Sequence, residues 1–191
     1  MKKYELTEET VTVYGKTLYR IRAVRDFGSV KTGEFGGYIE KEENLSHFGN
    51  AWISGDAWVY GNARVFGNAW VYGEVQVAGN AWVYGNAKVY GDARVSGDAW
   101  VYGNAWVYGN AEVFNTRHFF VQGPIGSRDG YVTFYRTKDD TIGVRCGCFS
   151  GSLQKFVDRV EETHGGSRYE KEYKIAAELA KVCIRLEGES R

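Results

Sequence analysis

The middle of the chain sets small or branched apolar residues against variable ones on a fixed beat. From Gly49, glycine returns at 55, 61, 67, 73, 79, 85, 91, 97, 103 and 109, always six residues on. The units read GNAWIS, GDAWVY, GNARVF, GNAWVY, GEVQVA, GNAWVY, GNAKVY, GDARVS, GDAWVY, GNAWVY and GNAEVF. Self-similarity at a fixed period decides architecture before local propensity does. Within a unit Ala and Val lie two apart, so in a strand they share one face and the variable and aromatic residues take the other. Ala beside a β-branched residue suits a narrow interior. Gly followed by Asn or Asp suits a corner, because these residues enter the left-handed backbone region cheaply. A helix is excluded, since each of these glycines would cost about 1 kcal/mol relative to Ala.

This spacing resembles the hexapeptide repeat of left-handed parallel β-helices, in which three units form one triangular coil. The resemblance covers 49–114 and extends back to Gly37, which is in phase and places Ile39 and Leu45 on the small inward position. GGYIEKEENLSHF then forms two degenerate units, and the triangular solenoid has about four coils. With three units per coil, residues eighteen apart stack at strand spacing, about 4.8 Å. One outer face carries Trp52, Trp70, Lys88 and Trp106 beside Ser54, Tyr72, Tyr90 and Tyr108. A second carries Arg64, Trp82 and Trp100 beside Phe66, Tyr84 and Tyr102, while the third is interrupted around Gln76, Ala78, Arg94 and Ser96. One corner is all Asn: Asn50, Asn68, Asn86 and Asn104. Stacked aromatics support a thin core, and apolar walls of this extent mark interfaces. At least one wall is expected to be covered by the C-terminal domain or by another subunit of a homo-oligomer.

Outside the repeat the periodicity changes. Residues 10–26 alternate around Gly15-Lys16 and predict a β-hairpin, which would cap the solenoid's exposed strand edge. Arg20, Arg22 and Arg25 fall mostly on its solvent face. After Phe114, HFFVQGPI, YVTFYRT and IGVRCGCF predict three strands, with a tight turn at Lys138-Asp139-Asp140. A helix follows from about Ser152 with Leu153, Phe156, Val157 and Val160 on one stripe, ending at Gly165-Gly166. A second runs from about Tyr169 to Leu186, with Ile175, Ala176, Leu179, Val182 and Leu186 as its buried stripe. The chain is thus predicted to be mainly β, in three blocks: a hairpin cap over 1–36, a β-solenoid over 37–114 and a small α+β domain (β3α2) over 115–191.

Composition narrows the functions. The 191 residues carry 24 basic and 24 acidic side chains. No block is strongly charged, so neither nucleic acid nor a membrane surface is an expected partner. No apolar run approaches the roughly 20 residues that span a bilayer. MKKYELTEET has no apolar stretch behind its lysines and does not predict a secretory signal. Cys146, Cys148 and Cys183 suit a reducing cytoplasm better than a disulfide framework. With His47, His118 and His164 scattered, no metal site and no cofactor are expected.

Two loops of the last block hold candidate chemistry. GPIGSRDG presents Ser127 and Arg128, and GCFSGS leads Ser150 and Ser152 into a helix N-terminus, where free N–H groups attract anions. If the loops are adjacent, these residues with Arg145 would hold a phosphate or carboxylate. Neither loop matches a phosphate-binding fingerprint. Many hexapeptide β-helix proteins are CoA-dependent acyltransferases with a His base, but residues 49–114 contain no histidine and no insertion. Cys146 and Cys148 have no His nearby in sequence to activate them. A non-enzymatic binder is therefore expected, with a self-assembling structural protein as the alternative and an acyltransferase behind both.

YELTEETVTVYGKTLYRIRAVRDFG, GGYIEKEENLS, GPIGSRDGYVTFYRTKDDTIGVRCGCFSGSLQKF and ETHG together resemble small phage and prophage proteins labelled hexapeptide-repeat or polymer-forming. The resemblance implies a phage accessory protein in the host cytoplasm, acting on a nucleotide-like small molecule or a host protein, including against host defence.

Overall fold

The computed structural model describes residues 2–187; Met1 and 188–191, included in the first and third blocks above, lie outside the described residues. The repeat folds as a parallel β-solenoid of about four turns. All eleven repeat glycines have φ between 59° and 92°, the region where a Cβ is strained. At Gly85 a Cβ would also lie 3.0 Å from the Gly103 nitrogen of the next coil, so conformation and crowding both demand glycine.

Three walls stack from strands eighteen residues apart. The first contains Trp52–Gly55 (β4), Trp70–Gly73 (β7), Lys88–Gly91 (β10) and Trp106–Tyr108 (β13). The second contains Arg64–Val65 (β6), Trp82–Val83 (β9) and Trp100–Val101 (β12). The third contains Trp58–Val59 (β5), Gln76–Val77 (β8), Arg94–Val95 (β11) and Glu112–Val113 (β14). The inward Ala and Val of the units are buried throughout. The first coil departs from the expected register. Ile39 pairs with Val59 and Leu45 with Val65, each twenty residues on, so both take the larger Val position and not the Ala position. A slip of two keeps each side chain on its face. The two extra residues are absorbed before Ile53, which pairs with Val71 at the regular spacing.

The inter-coil ladder runs through both N–H and C=O groups, so each end of the stack requires donors and acceptors. Outward residues donate N–H to carbonyls of the following coil, as Trp70 to Ala87 and the corner residue Asn86 to Gly103, and the parallel register returns bonds from inward Val N–H groups to the coil before. The first coil therefore exposes the backbone groups of its inward residues, Ala carbonyls among them, and the last exposes those of its outward residues, such as the Trp106 and Phe114 N–H groups. At the N-terminal end, Lys3 Nζ donates to Ala51 O at 2.6 Å, and Asn44 Nδ2 donates to Ala63 O at 2.8 Å and Gly61 O at 3.2 Å. Tyr4–Val13 (β1), Lys16–Ala23 (β2) and Phe35–Ile39 (β3) extend the third wall in the order β1-β2-β3-β5. The β1–β2 turn is Tyr14-Gly15, both at positive φ, one residue earlier than expected. Arg20 and Arg22 pair with Glu9 and Glu5 across that hairpin. Trp52, expected on an outer wall, is fully buried, because Phe27 and Tyr4 cover it with ring centroids 5.3 and 6.4 Å away.

At the other end the C-terminal domain supplies acceptors and a donor, Lys138 N–H giving to the Asn110 carbonyl at 3.0 Å. Thr133 Oγ1 accepts from Trp106 N–H at 2.9 Å, and His118 Nδ1 accepts from Phe114 N–H at 3.2 Å. Burial, followed by the nearby Arg136 charge, lowers the His118 pKa and keeps its ring neutral. Both belong to an antiparallel sheet of Phe119–Ile125 (β15), Gly130–Arg136 (β16), Ile142–Cys146 (β17) and Phe149–Ser152 (β18), or to the turn entering it. Alternation along β16 divides its labour. Thr133 and Tyr135 face the solenoid, where Tyr135 and Phe119 join the coil core; Val132 and Phe134 face the helices Leu153–His164 (α1) and Arg168–Cys183 (α2). Arg136, with a nearly inaccessible side chain, reaches Asp140 at 2.7 Å, Glu187 at 2.6 Å and Glu112 of the last repeat at 3.6 Å.

Two expectations for this domain change. IGVRCGCF is a hairpin, with Gly147 at positive φ separating β17 from β18, so the α+β domain has four strands. The buried stripe of α2 is Tyr173, Ala176, Ala177, Ala180 and Ile184, because small alanines let the helix approach α1 and the sheet closely. Ile175, Leu179 and Val182 are exposed, and Leu186 is partly buried.

The carbonyl cap provides a direct test. Asn44→Ala leaves two edge carbonyls without their donor and is expected to lower stability by about 3 kcal/mol, measured as a lower denaturation midpoint at unchanged slope. A change below about 0.5 kcal/mol would show that the edge does not need this cap.

Candidate functional site

The packed interior of the coils leaves no room for a ligand, so any site must lie where the solenoid meets its appendages. A cleft of about 770 Å³ opens there, between Asn104 and Trp106 of the last coil and the C-terminal sheet and helices. Its size falls within the range of small-molecule sites. Arginines reach it from three elements: Arg128 from the β15–β16 loop, Arg145 from β17 and Arg159 from α1. Trp106, Tyr131, Phe149 and Tyr173 supply aromatic lining, and among the described residues no Asp or Glu lines it. In a chain with equal numbers of acids and bases, that segregation gives the cleft a positive field in a partly desolvated setting.

Each arginine is placed by local structure. Gly126 N–H donates to Glu172 Oε2 at 2.7 Å, which ties the loop bearing Ser127 and Arg128 to α2. Arg145 donates through Nη1 to the Cys148 and Phe149 carbonyls, both at 3.3 Å, which fixes it across the β17–β18 turn. Its guanidinium lies over Trp106 at 5.4 Å and Tyr108 at 5.7 Å, and its buried Nε has no protein partner. Arg145 thus joins the domain to the first wall and lines the cleft. Arg159 pairs with Glu162 at 2.7 Å; both are largely exposed, so an incoming anion displaces that contact at little cost. Burial raises the Tyr173 pKa to about 12, so its phenol is a neutral donor.

Ser127, Arg128 and Arg145 are brought together as the sequence suggested, but Ser150 and Ser152 are not with them. They line a second groove of about 280 Å³ with Tyr108, Asp139 and Thr141. The reason is the extra strand: Ser150 pairs with Arg145 across the hairpin, and Ser152 accepts from Lys155 N–H as the α1 cap. Arg159, Tyr131, Tyr173 and His164 also line the cleft, although nothing in their local sequence marks them, and Asn104 joins them from the all-Asn corner.

The aromatic walls have different fates. The first is covered at both ends by the chain itself, at Trp52 by the N-terminal segment and at Trp106 by Arg145, while Tyr72, Tyr90 and Tyr108 remain stacked 4.7–4.9 Å apart between them. The second stays largely exposed: Trp82 stacks on Trp100 at 5.4 Å and Tyr84 on Tyr102 at 5.6 Å, with Trp100 and Tyr102 more than two-fifths exposed, although Tyr102 also meets Phe119 edge-on at 5.6 Å.

Residues 57–73 and 87–103, both within the coils, match the family model for the YdcK β-solenoid repeat. The chain carries a β-solenoid repeat. The match leaves the hairpin and the C-terminal domain uncovered. No curated protein matches the chain. No helix of the described residues is long and apolar enough to cross a membrane, and no group of potential metal ligands occurs among them.

Proposed function

We propose that the chain is a non-enzymatic binding protein: a rigid solenoid whose last coil and C-terminal domain form a cleft for a nucleotide-like anion. The observation that carries this reading is the cleft's convergence of three arginines and an aromatic lining with no carboxylate. Guanidinium groups match phosphate geometry and aromatic faces accept a planar ring. A catalytic reading has less support. The Cys146 thiol is pushed up in pKa by burial, the opposite of an activated nucleophile. His164, in the same cleft, stands against Tyr173 with centroids 5.6 Å apart.

The open second wall supports the scaffold's other part, self-association side by side through Trp100 and Tyr102. End-to-end polymerisation is less favoured, because appended segments occupy both coil ends. The resemblance to phage and prophage proteins supports a role in a host cytoplasm, where sequestering a nucleotide signal, or engaging a host protein, would counter host defence.

Thermal-shift and calorimetric titration with nucleoside monophosphates and pyrophosphate test the cleft. Binding is expected, with Arg128→Ala weakening it about 10- to 100-fold, the range for one lost charged hydrogen bond. No shift and no heat with any anion would remove the binding reading. Light scattering tests the wall: the chain is expected to be a small oligomer that Trp100→Ser with Tyr102→Ser converts to monomer, and a monomeric parent chain would contradict it.

A further inference from the structure

The solenoid side of the cleft begins at Asn104, the last member of a column of corner amides. Asn68 Nδ2 donates to Asn86 Oδ1, and Asn86 Nδ2 to Asn104 Oδ1, both at 3.2 Å. In the neighbouring column Asn62 donates to Asn80 at 3.1 Å and Asn80 to Asp98 at 3.0 Å. Chemistry fixes that column's direction, because an ionised Asp98 can only accept. The Asn104 column runs the same way. Asn104 therefore spends its oxygen within the column and keeps its Nδ2 hydrogens for whatever occupies the cleft. Amides bonded in series polarise one another, so the terminal donor is stronger than an isolated one. The third column, which contains Asp56, Glu74 and Asp92, ends at Asn110. There the last Nδ2 is already used, donating to Asp139 at 3.1 Å. Only the column that opens on the cleft is amide throughout and ends in a donor aimed at no protein acceptor among the described residues.

We propose that Asn104 is the specificity-determining donor of the cleft, and that the ligand is a nucleotide whose base presents a keto oxygen. This rests on the anion reading above: the arginines hold phosphate, the aromatic lining takes the ring, and Asn104 reads the ring's edge. A keto oxygen at pyrimidine position 4 or purine position 6 accepts from an amide N–H. An amino group at that place sets donor against donor and leaves both unpaired, the kind of mismatch that binding sites reject strongly.

Calorimetry with UMP against CMP, GMP against AMP, and pyrophosphate tests the proposal. The parent chain is expected to prefer each keto nucleotide by about tenfold or more, the discrimination of one good base contact. Asn104→Asp keeps the column, as Asp98 does next door, yet replaces a donor by an acceptor; the keto preference should vanish or invert. Asn104→Ala should abolish the preference while pyrophosphate affinity changes less than about threefold, because no phosphate contact is lost. Nucleotide binding without a keto preference, or a preference that survives Asn104→Ala, overturns the role of Asn104 and leaves the anion site standing. Absence of binding by every nucleotide and by pyrophosphate overturns both.

Discussion

A parallel coil ladder leaves an unpaired strand edge at each end, and the segments appended to this solenoid cover both. Each coil bonds to the next through N–H and C=O groups alike, so both ends of the stack need partners for unpaired donors and acceptors. An unmet edge group costs about 1–3 kcal/mol when buried, and a thin Ala/Val interior cannot absorb several such losses. The chain covers the N-terminal edge with Lys3, Asn44 and the backbone of β3, and the C-terminal edge with Thr133, His118 and the Lys138 N–H. Apolar plugs follow the same division, Phe27 and Tyr4 at one end, Phe119 and Tyr135 at the other.

The candidate site is a consequence of the second cap. Because β16 must offer Thr133 to the last coil, the sheet is held beside Trp106 and the space left between them becomes the cleft. Arg145 on Trp106 and Tyr108, and Arg136 on Glu112 and Phe114, fasten that arrangement from two sides. The acidic residues of the solenoid corners are kept to the other columns, which leaves the cleft with amide and guanidinium donors. Rigidity matters here, since a preformed donor array spends little of its binding energy on ordering.

What the chain shows at the level of sequence follows from what repeats. A glycine every six residues fixed the strands, the inward Ala and Val, and the columns eighteen apart, because each unit meets the same constraint as its neighbours. Departures occur where repetition stops. Ile39 and Leu45 pair two residues out of phase because the first coil has an enlarged corner. Trp52 carries the same local pattern as Trp70 and is buried only because Phe27, far away in sequence, covers it. Cys146 and Cys148 flank a turn glycine, yet the apolar run through them looks like one strand. On α2, alanines outcompete Ile175 and Val182 for the core because close approach favours small residues. The cleft gathers residues from the last coil, a loop, a turn, three strands and two helices, and of these the sequence marked Ser127, Arg128 and Arg145 as anion ligands.

Coil and C-terminal domain pack as one unit whose junction creates the cleft. Native-state hydrogen exchange tests it at the junction amides, Trp106 donating to Thr133 and Lys138 donating to the Asn110 carbonyl. The account predicts that both exchange as slowly as mid-solenoid amides such as Trp70 and Trp82, in a single cooperative unit. Exchange at Trp106 and Lys138 faster by about a thousandfold or more, roughly 4 kcal/mol of independent opening, would mean that the domain moves free of the last coil, and the cleft would not exist as a preformed site.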